Sequence, residues 1–267
     1  MVAALLLAGS AGAATVPFDA KPGQGNEGFR FKDGTVTPRQ AIPFSVQPVR
    51  FHFRFAARQS MKVVIRVYLV AGGRKRVIRR IVTGRLQPGR WHHRGWDGRT
   101  GRGRLAPAGH YGVFVGPVGG PFSGLGRVRL HGHQFPVDGP HGTRGYIGEF
   151  GAPRVDGRTH EGFDVTAACG TPLVAVRAGT ILKADYDPEL YGNFVVLKGK
   201  GERRTYKYSH LLRPAAVRKG QIVRAGRRLG SVGQTGNAAS TPCHLHIEIR
   251  TRGRLLNPEP ILDSWDW

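Results

Sequence analysis

Short runs in which apolar and polar residues alternate are the pattern that most limits the fold of this chain. Such runs occur at 51–55 (Phe-His-Phe-Arg-Phe), at 63–68 and at 128–130, and a period of two residues is typical of half-buried β-strands. Long runs with the 3.6-residue period of helices are scarce, while 40 glycines and 18 prolines indicate many turns. The sequence therefore predicts an all-β protein.

The chain divides into segments of different character. An apolar content of 40% suits two modest domains better than one large one. Residues 1–14 combine a short apolar run with an A-x-A pattern and predict a signal peptide, although no Lys or Arg precedes the run. That run is too short to span a membrane, so we expect a secreted chain without a transmembrane segment. The remaining ranges are predicted to be a leader or linker (15–42), a β-sandwich (43–120), a linker (121–137) and a second domain (138–267).

Positive charge is concentrated in the first half of the chain. The net charge is +24; residues 1–137 carry 22 Lys and Arg against 4 Asp and Glu, a net +18, and the remainder carries 19 against 13. In an exported protein this favours contact with an anionic cell-wall polymer or a membrane surface. Interleaved surface aromatics and a nucleic-acid-binding motif are both lacking, so no specific nucleic-acid partner is expected. The alternative is that the arginines only solubilise the protein.

Histidines near the end of the chain predict a metal site. His244 and His246 would point the same way from one β-strand. His160 and Asp164 lie four residues apart, with Gly162 allowing a bend between them. Two histidines and one carboxylate suit Zn²⁺ with a fourth position open for water, which is the catalytic arrangement. The alternative for His160 and Asp164 is a surface turn with a local hydrogen bond.

Three segments resemble, in order, the motifs of the lysostaphin-type zinc metallopeptidases, a family of peptidoglycan endopeptidases. The segments are 157–165 (GRTHEGFDV), 208–211 (YSHL) and 233–248, which contains GQTGN and HLHIE. The similarity extends over about 135–262 and implies an antiparallel β-sheet peptidase domain. It also implies that His160, Asp164 and His246 bind one zinc ion, while His210 and His244 orient the metal-bound water and take its proton. Considered alone, His210 could equally be an ordinary histidine at the rim of a strand.

The only two cysteines, Cys169 and Cys243, lie in segments that converge on the metal in this family. The resemblance therefore implies that the two thiols are close, and in an exported protein a disulfide is expected. It would close a loop of roughly 70 residues and stabilise the fold by about 4 kcal/mol in the chain-entropy model. The alternative is that one of these cysteines is a metal ligand.

The predicted sandwich shows a weaker resemblance of its own. The pattern Gly95-Trp96-Asp97-Gly98, continued to Tyr111, is similar to the Ig-like module of flagellar hook-capping proteins, which implies a binding or spacer role. The pairs His92-His93 and His131-x-His133 are expected to be exposed or part of a linker. His141 could line a cleft.

These observations lead to one principal hypothesis about function. The chain is expected to be a monomeric, secreted, cell-wall-associated zinc metalloendopeptidase that hydrolyses peptide bonds of peptidoglycan stems or cross-bridges. Alternatives are a catalytically inactive wall-binding or regulatory relative and, less favoured, a basic polyanion or nucleic-acid binder with a structural zinc. Glu161 is expected to have no catalytic role. Glu248 would share the strand face of His246, either as partner of that ligand or as an ordinary paired carboxylate.

Overall fold

The computed structural model describes residues 28–155 and 157–267. The predicted signal peptide, residues 1–14, lies outside the described residues. In the described part of the chain, no helix has both the length and the apolar character needed to cross a membrane. Strands dominate both halves, which confirms the predicted all-β class.

The N-terminal half is built from two sheets that share one hydrophobic core. One sheet has the order β1-β3-β6, and the other has the order β2-β8-β7-β4-β5. Phe51, Phe53 and Phe55 are fully buried in the core, while the alternate residues of the same strand point outward. The strands are β1 (Arg30–Thr37), β2 (Gln40–Ala41), β3 (Val49–Ala56), β4 (Met61–Ala71), β5 (Arg74–Leu86), β6 (His92–Trp96), β7 (Gly109–Pro117) and β8 (Ser123–Leu130).

Two predicted boundaries of this half are wrong. Strand β1 lies within the predicted leader (15–42), and strand β8 lies within the predicted linker (121–137). Both strands belong to the sandwich because they bury apolar side chains in its core, Val36 from β1 and Val128 and Leu130 from β8. The resemblance of this sandwich to an Ig-like module stays a prediction.

The C-terminal half is organised around one antiparallel sheet with the order β15-β12-β13-β14-β17-β10-β9, to which β18 is added beside β17. Strands β11 and β16 form a separate pair. The elements are β9 (Gly142–Thr143), β10 (Phe163–Thr166), β11 (Pro172–Val174), β12 (Gly179–Asp187), β13 (Gly192–Gly199), β14 (Arg204–Leu211), β15 (Ile222–Val223), β16 (Arg228–Ser231), β17 (His244–Thr251), β18 (Arg254–Leu256), the short helix α1 (Glu259–Asp263) and two 3₁₀ turns (Tyr146–Gly148 and Gly236–Ala238).

Strand β17 is central to this sheet, lying between β14 and β10. Its residues Leu245, Ile247 and Ile249 pack in the core. His244, His246 and Glu248 alternate with them and therefore project from the opposite face. All three of these polar residues are buried, so the outer face of the strand is also covered.

The two halves contact each other through backbone and aromatic interactions. Ala225 exchanges hydrogen bonds with the segment 44–46: its amide donates to the Phe44 carbonyl at 3.2 Å, and its carbonyl accepts from the Val46 amide at 3.0 Å. The ring of His131 stacks on Trp267 with centroids 3.8 Å apart, and the ring of His133 stacks on Trp265 at 4.4 Å. His131 and His133 are half-buried and lie in the segment that joins the two halves.

The other histidines outside the predicted metal site lie apart from it. His93, which is exposed, is paired across strands with His52, with the two Nδ1 atoms 2.8 Å apart. His92 hydrogen-bonds to the Gln87 carbonyl. His141 stacks on Phe135 and faces the Asp266 carboxylate at 3.4 Å.

Candidate metal centre and its cleft

The three predicted metal ligands converge on one point. His160 Nε2 lies 2.8 Å from His246 Nδ1 and 3.0 Å from Asp164 Oδ1, and His246 Nδ1 lies 3.1 Å from the same carboxylate oxygen. All three residues are buried. Among the described residues, this is the one group of His, Cys, Asp and Glu side chains close enough to share a metal ion.

Sheet register places these side chains together. Strands β10 and β17 pair antiparallel with Asp164 opposite His246, so their side chains project side by side from the same face. Gly162 leaves room for the neighbouring strand, since a Cβ atom there would lie 2.6 Å from both His246 Cε1 and the Ile247 carbonyl oxygen. The sequence suggested that this glycine allows a bend, whereas the structure shows that it makes space for the imidazole ring of His246.

The hydrogen bonds around the ligands favour a cation between them. His160 Nδ1 donates to the Glu149 carbonyl at 2.8 Å, so the neutral ring presents the lone pair of Nε2 to the carboxylate of Asp164. Two acceptors facing each other at 3.0 Å need a proton or a metal ion between them. In a tetrahedral zinc site the donor atoms are about 3.3 Å apart, and the observed spacing is within about 0.5 Å of this value.

The predicted ligands change one another's pKa values. Burial opposes ionisation of Asp164, but hydrogen bonds with His160 and His246 outweigh it and hold the pKa of the carboxyl group well below its usual range. Burial would also lower the pKa of His246, yet its hydrogen bond to Asp164 and the nearby carboxylate of Glu248 raise that pKa above the ordinary value. The carboxylate is therefore charged and available to a cation.

The two predicted catalytic histidines lie beside the ligands with matching orientations. His210 Nδ1 donates to the Thr235 carbonyl and His244 Nδ1 donates to the Pro242 carbonyl, each at 2.8 Å. In each neutral ring Nε2 therefore keeps its lone pair, and His244 Nε2 lies 3.7 Å from Asp164 Oδ2. The rings of His210 and His244 are 5.0 Å apart.

Burial keeps both of these rings neutral. It is the main reason that the pKa of His210 falls to about 3, and the neighbouring His246 and His244 lower it further. Burial also lowers the pKa of His244. His210 has a φ of 62°, a left-handed conformation that is uncommon for a residue other than glycine and is often found at functional sites.

Cys169 and Cys243 form a disulfide. The predicted pairing is confirmed, and the alternative in which one thiol binds the metal is wrong because both sulfur atoms are used in the bond. The bridge ties the loop that follows β10 to the residue immediately before His244. It therefore restrains the start of the strand that carries His244 and His246.

The three predicted metal ligands line a cleft with a volume of 830 Å³. Leu190 and Tyr191 line it, as do several described residues of 144–155 and 157–161. His141 is not among the described residues that line it.

Sequence reasoning missed two basic residues that act on the site. Arg144 Nη1 donates to Asp164 Oδ2 at 3.2 Å, although the two residues are twenty positions apart in different elements. Lys207 Nζ lies 2.9 Å from Glu248 Oε1 and 3.5 Å from the centre of the Tyr191 ring. Lys207 lies directly opposite Glu248 in the paired strands β14 and β17. A correct prediction of this strand pairing would therefore have revealed the contact between Lys207 and Glu248.

Glu248 is both a paired strand carboxylate and a neighbour of a predicted ligand. Its Oε1 atom lies 3.7 Å from His246 Nε2, on the side of the ring opposite the predicted metal position. A carboxylate that faces the second nitrogen of a ligating histidine can orient the ring and increase its basicity. With Lys207 nearby, and despite the opposing effect of burial, these contacts lower the pKa of Glu248 to about 2.

We expect Glu248→Gln to weaken zinc binding by about 10- to 100-fold because the amide orients His246 less strongly than the carboxylate does. The dissociation constant, measured by competition with a chromophoric chelator, checks this. Glu161→Gln is the matched control, since Glu161 contacts the same Arg250 but its side chain is 48% exposed, against 1% for Glu248. Equal zinc affinities in the two variants would contradict a role for Glu248 in orienting the ligand.

Comparison with known proteins agrees with this geometry. Residues 158–258 match the model of Peptidase family M23. The chain is 35% identical over 104 residues to the peptidoglycan DD-endopeptidase ShyC of Vibrio cholerae, covering 39% of this chain and 23% of ShyC. It is 30% identical over 126 residues to the murein hydrolase activator NlpD of Salmonella typhimurium, covering 47% of this chain and 30% of NlpD.

A solved structure of the catalytic domain of lysostaphin from Staphylococcus simulans is 27% identical, with a TM-score of 0.40, and the alignment covers 46% of this chain and 92% of that domain. The chain spans only about a quarter of ShyC and a third of NlpD. The match to the family model lies in the C-terminal half. The resemblance to the lysostaphin-type metallopeptidases is confirmed at the level of the family, and residues 158–258 of this chain are a Peptidase family M23 domain.

Proposed function

We propose that this protein is a secreted zinc metalloendopeptidase that hydrolyses peptide bonds in peptidoglycan stems or cross-bridges. The observation that carries the proposal is the convergence of five buried side chains in one open cleft: His160, Asp164, His246, His210 and His244. Similarity to a protein named as a peptidoglycan DD-endopeptidase supports the choice of substrate.

In this proposal each of the five residues has a defined part. His160, Asp164 and His246 hold the zinc ion, with the deprotonated Asp164 supplying the negative charge. When bound, zinc lowers the pKa of water to about 7 and polarises the scissile carbonyl. His210 and His244 are neutral at pH 7, their Nδ1 protons are held by backbone carbonyls, and Nε2 of each ring can accept a proton from the attacking water. The same nitrogen, once protonated, can donate to the leaving amine.

We also propose a role for the sandwich half. The charge of +18 on residues 1–137 would hold the protein to anionic polymers of the cell wall, because opposite charge raises the local concentration of a binding partner. The proposed location is therefore outside the cell, in contact with the wall.

A regulatory function without catalysis is the second candidate. It is favoured by similarity to a protein named as an activator of murein hydrolases. The two candidates differ in one chemical respect, since only the enzyme needs a metal and a proton acceptor in the same cleft. This chain has both the predicted metal ligands and the predicted proton acceptors, so we rank the enzyme above the regulator.

We expect the purified protein to bind one zinc ion and to solubilise isolated cell walls. A chelator should abolish wall solubilisation, and adding back one equivalent of Zn²⁺ should restore it. Mass spectrometry of the released fragments would identify newly formed amino and carboxyl termini. A protein with one bound zinc that cleaves no peptidoglycan type, yet increases cleavage by a separate hydrolase, would overturn the enzyme in favour of the regulator.

A further inference from the structure

A second pocket lies between the two halves of the chain and has a volume of 420 Å³. Its lining includes residues of 38–47 from the sandwich half and of 134–141 and 265–267 from the C-terminal half. None of the described residues that line it also lines the cleft of the predicted metal ligands. Ligand sites of about 300–1,000 Å³ are often found where two domains meet. We call this the junction pocket, and the proposed hydrolysis does not use it.

The junction pocket contains a tryptophan that is exposed and yet held in place. The ring of Trp267 stacks on His131 with centroids 3.8 Å apart, and its Nε1 donates to the His133 carbonyl at 3.2 Å. His131 is fixed in turn, because its Nε2 lies 2.8 Å from Gln40 Oε1. Trp267 is nevertheless 46% exposed. A ring that is already ordered loses little conformational freedom when a ligand binds, so Trp267 offers a preorganised apolar surface.

The charge of the junction pocket differs from that of the chain as a whole. The described residues that line it include no Lys or Arg and two aspartates, Asp138 and Asp266, although the net charge of the chain is +24. An anionic ligand would meet these carboxylates without a basic partner from the lining. Both aspartates are exposed, and solvent-exposed charges attract a cation only weakly. The pocket is therefore best suited to an uncharged ligand.

Two polar groups of the lining keep hydrogen-bonding capacity for such a ligand. The hydroxyl of the buried Ser45 accepts from the Gln47 amide at 3.2 Å, and no acceptor for its own proton lies within the described residues. Gln134 is half-buried, and its Nε2 donates to the Ala175 carbonyl at 3.3 Å, which leaves Oε1 as an acceptor. One donor and one acceptor together match an amide group of a ligand, which has a C=O and an N–H.

These features favour a sugar ring that carries an acetamido group. One face of a pyranose ring consists largely of C–H groups and can pack on an indole, while its substituents form hydrogen bonds. We propose that the junction pocket binds a neutral N-acetylated amino sugar of the glycan strand of peptidoglycan, with Trp267 as the surface on which the sugar ring packs. This inference rests on the proposed function, which supplies the partner. Binding here would hold the glycan while the metal centre acts on its peptides.

The proposal is tested by titration calorimetry of the zinc-loaded, full-length protein with three β-linked tetrasaccharides. They differ only in the group on the second carbon of each ring, which is acetamido, hydroxyl or ammonium. We expect the acetamido sugar to bind at least about tenfold more tightly than either of the others, because only it satisfies both Ser45 and Gln134 without a charge. Trp267→Ala should weaken its binding by about tenfold or more, since the packing surface is lost.

Trp91→Ala is the matched control for loss of an indole. Trp91 is also 46% exposed but is not among the residues that line the junction pocket, so its replacement should leave sugar binding unchanged. Zinc content and the melting temperature of each variant separate loss of binding from loss of structure. If Trp267→Ala does not fold, Ser45→Ala still tests the proposal, because it should reduce the preference for acetamido over hydroxyl.

The possible outcomes separate this inference from the proposed function. Native Trp267→Ala affinity for the acetamido sugar, or equal affinity of the native protein for all three sugars, would overturn the glycan site and leave the peptidase intact. Binding of the acetamido sugar that depends on Trp267, combined with no cleavage of any cell wall, would support the site and overturn the peptidase. Tightest binding of the ammonium sugar would assign the pocket to a cationic ligand and overturn the proposal.

Discussion

Replacing His246 with alanine is expected to reduce zinc binding from one equivalent to nearly none and wall solubilisation by at least about a thousandfold. His246 contacts three other residues of the site. Its Nδ1 atom faces both His160 and Asp164, and its Nε2 atom faces Glu248. Without it, two ligands remain, and the metal contribution to transition-state stabilisation, several kcal/mol, is lost. Metal analysis and release of dye-labelled wall fragments would measure the two effects.

The variant His141→Ala controls for loss of a histidine in the same domain. His141 is outside the metal centre and stacks on Phe135, so its replacement should leave zinc content and wall release essentially unchanged. Circular dichroism of His246→Ala should match that of the native protein, because Leu245 and Ile247 still hold the strand in the core. Undiminished wall release by a folded, zinc-free His246→Ala protein would refute the proposed chemistry.

Removal of the disulfide is expected to have the largest effect on stability. The double variant Cys169→Ser/Cys243→Ser opens a loop with a sequence separation of 74 residues, for which the chain-entropy model gives a loss of about 4 kcal/mol in the free energy of unfolding. This is a large fraction of the stability of a typical domain. Equilibrium unfolding in urea, compared with the oxidised native protein, would measure the loss.

Chemical reduction provides the control for the substitutions themselves. A reductant should lower the unfolding midpoint of the native protein towards that of the double variant and should not change the variant. Wall release should also fall in the variant, since Cys243 directly precedes His244 and the bridge restrains that end of strand β17. An unfolding midpoint that is the same with and without the bridge would show that the loop is already held by the sheet.

Much of the sheet domain could be predicted because its decisive pattern is local. Alternation along β17 separates Leu245 and Ile247 from His244 and His246, and a period of two follows directly from strand geometry. The resemblance to known motifs then predicted that His160, Asp164 and His210 lie in the same site. A local pattern alone could not predict this. The disulfide was predicted on the same basis.

The features that could not be predicted depend on contacts between distant segments. Arg144 reaches Asp164 because it directly follows β9, which pairs antiparallel with β10 and sets Thr143 opposite Val165. A strand of two residues is too short for a periodic pattern to mark it. Strand β1 lies within a stretch that was interpreted as a leader or linker (15–42). Its burial becomes visible only when β3 and β8 are placed beside it. The pairing of His52 with His93 likewise requires the register of two strands.

Gly162 has a consequence for how far this motif can vary. Every residue other than glycine adds a Cβ atom, and at this position that atom would approach His246 Cε1 to 2.6 Å. Neighbouring Glu161 is largely exposed and meets no such limit. Chains that keep this arrangement of ligands should therefore tolerate many residues at position 161 and only glycine at 162, which makes the glycine a more reliable diagnostic of an intact site than the glutamate beside it.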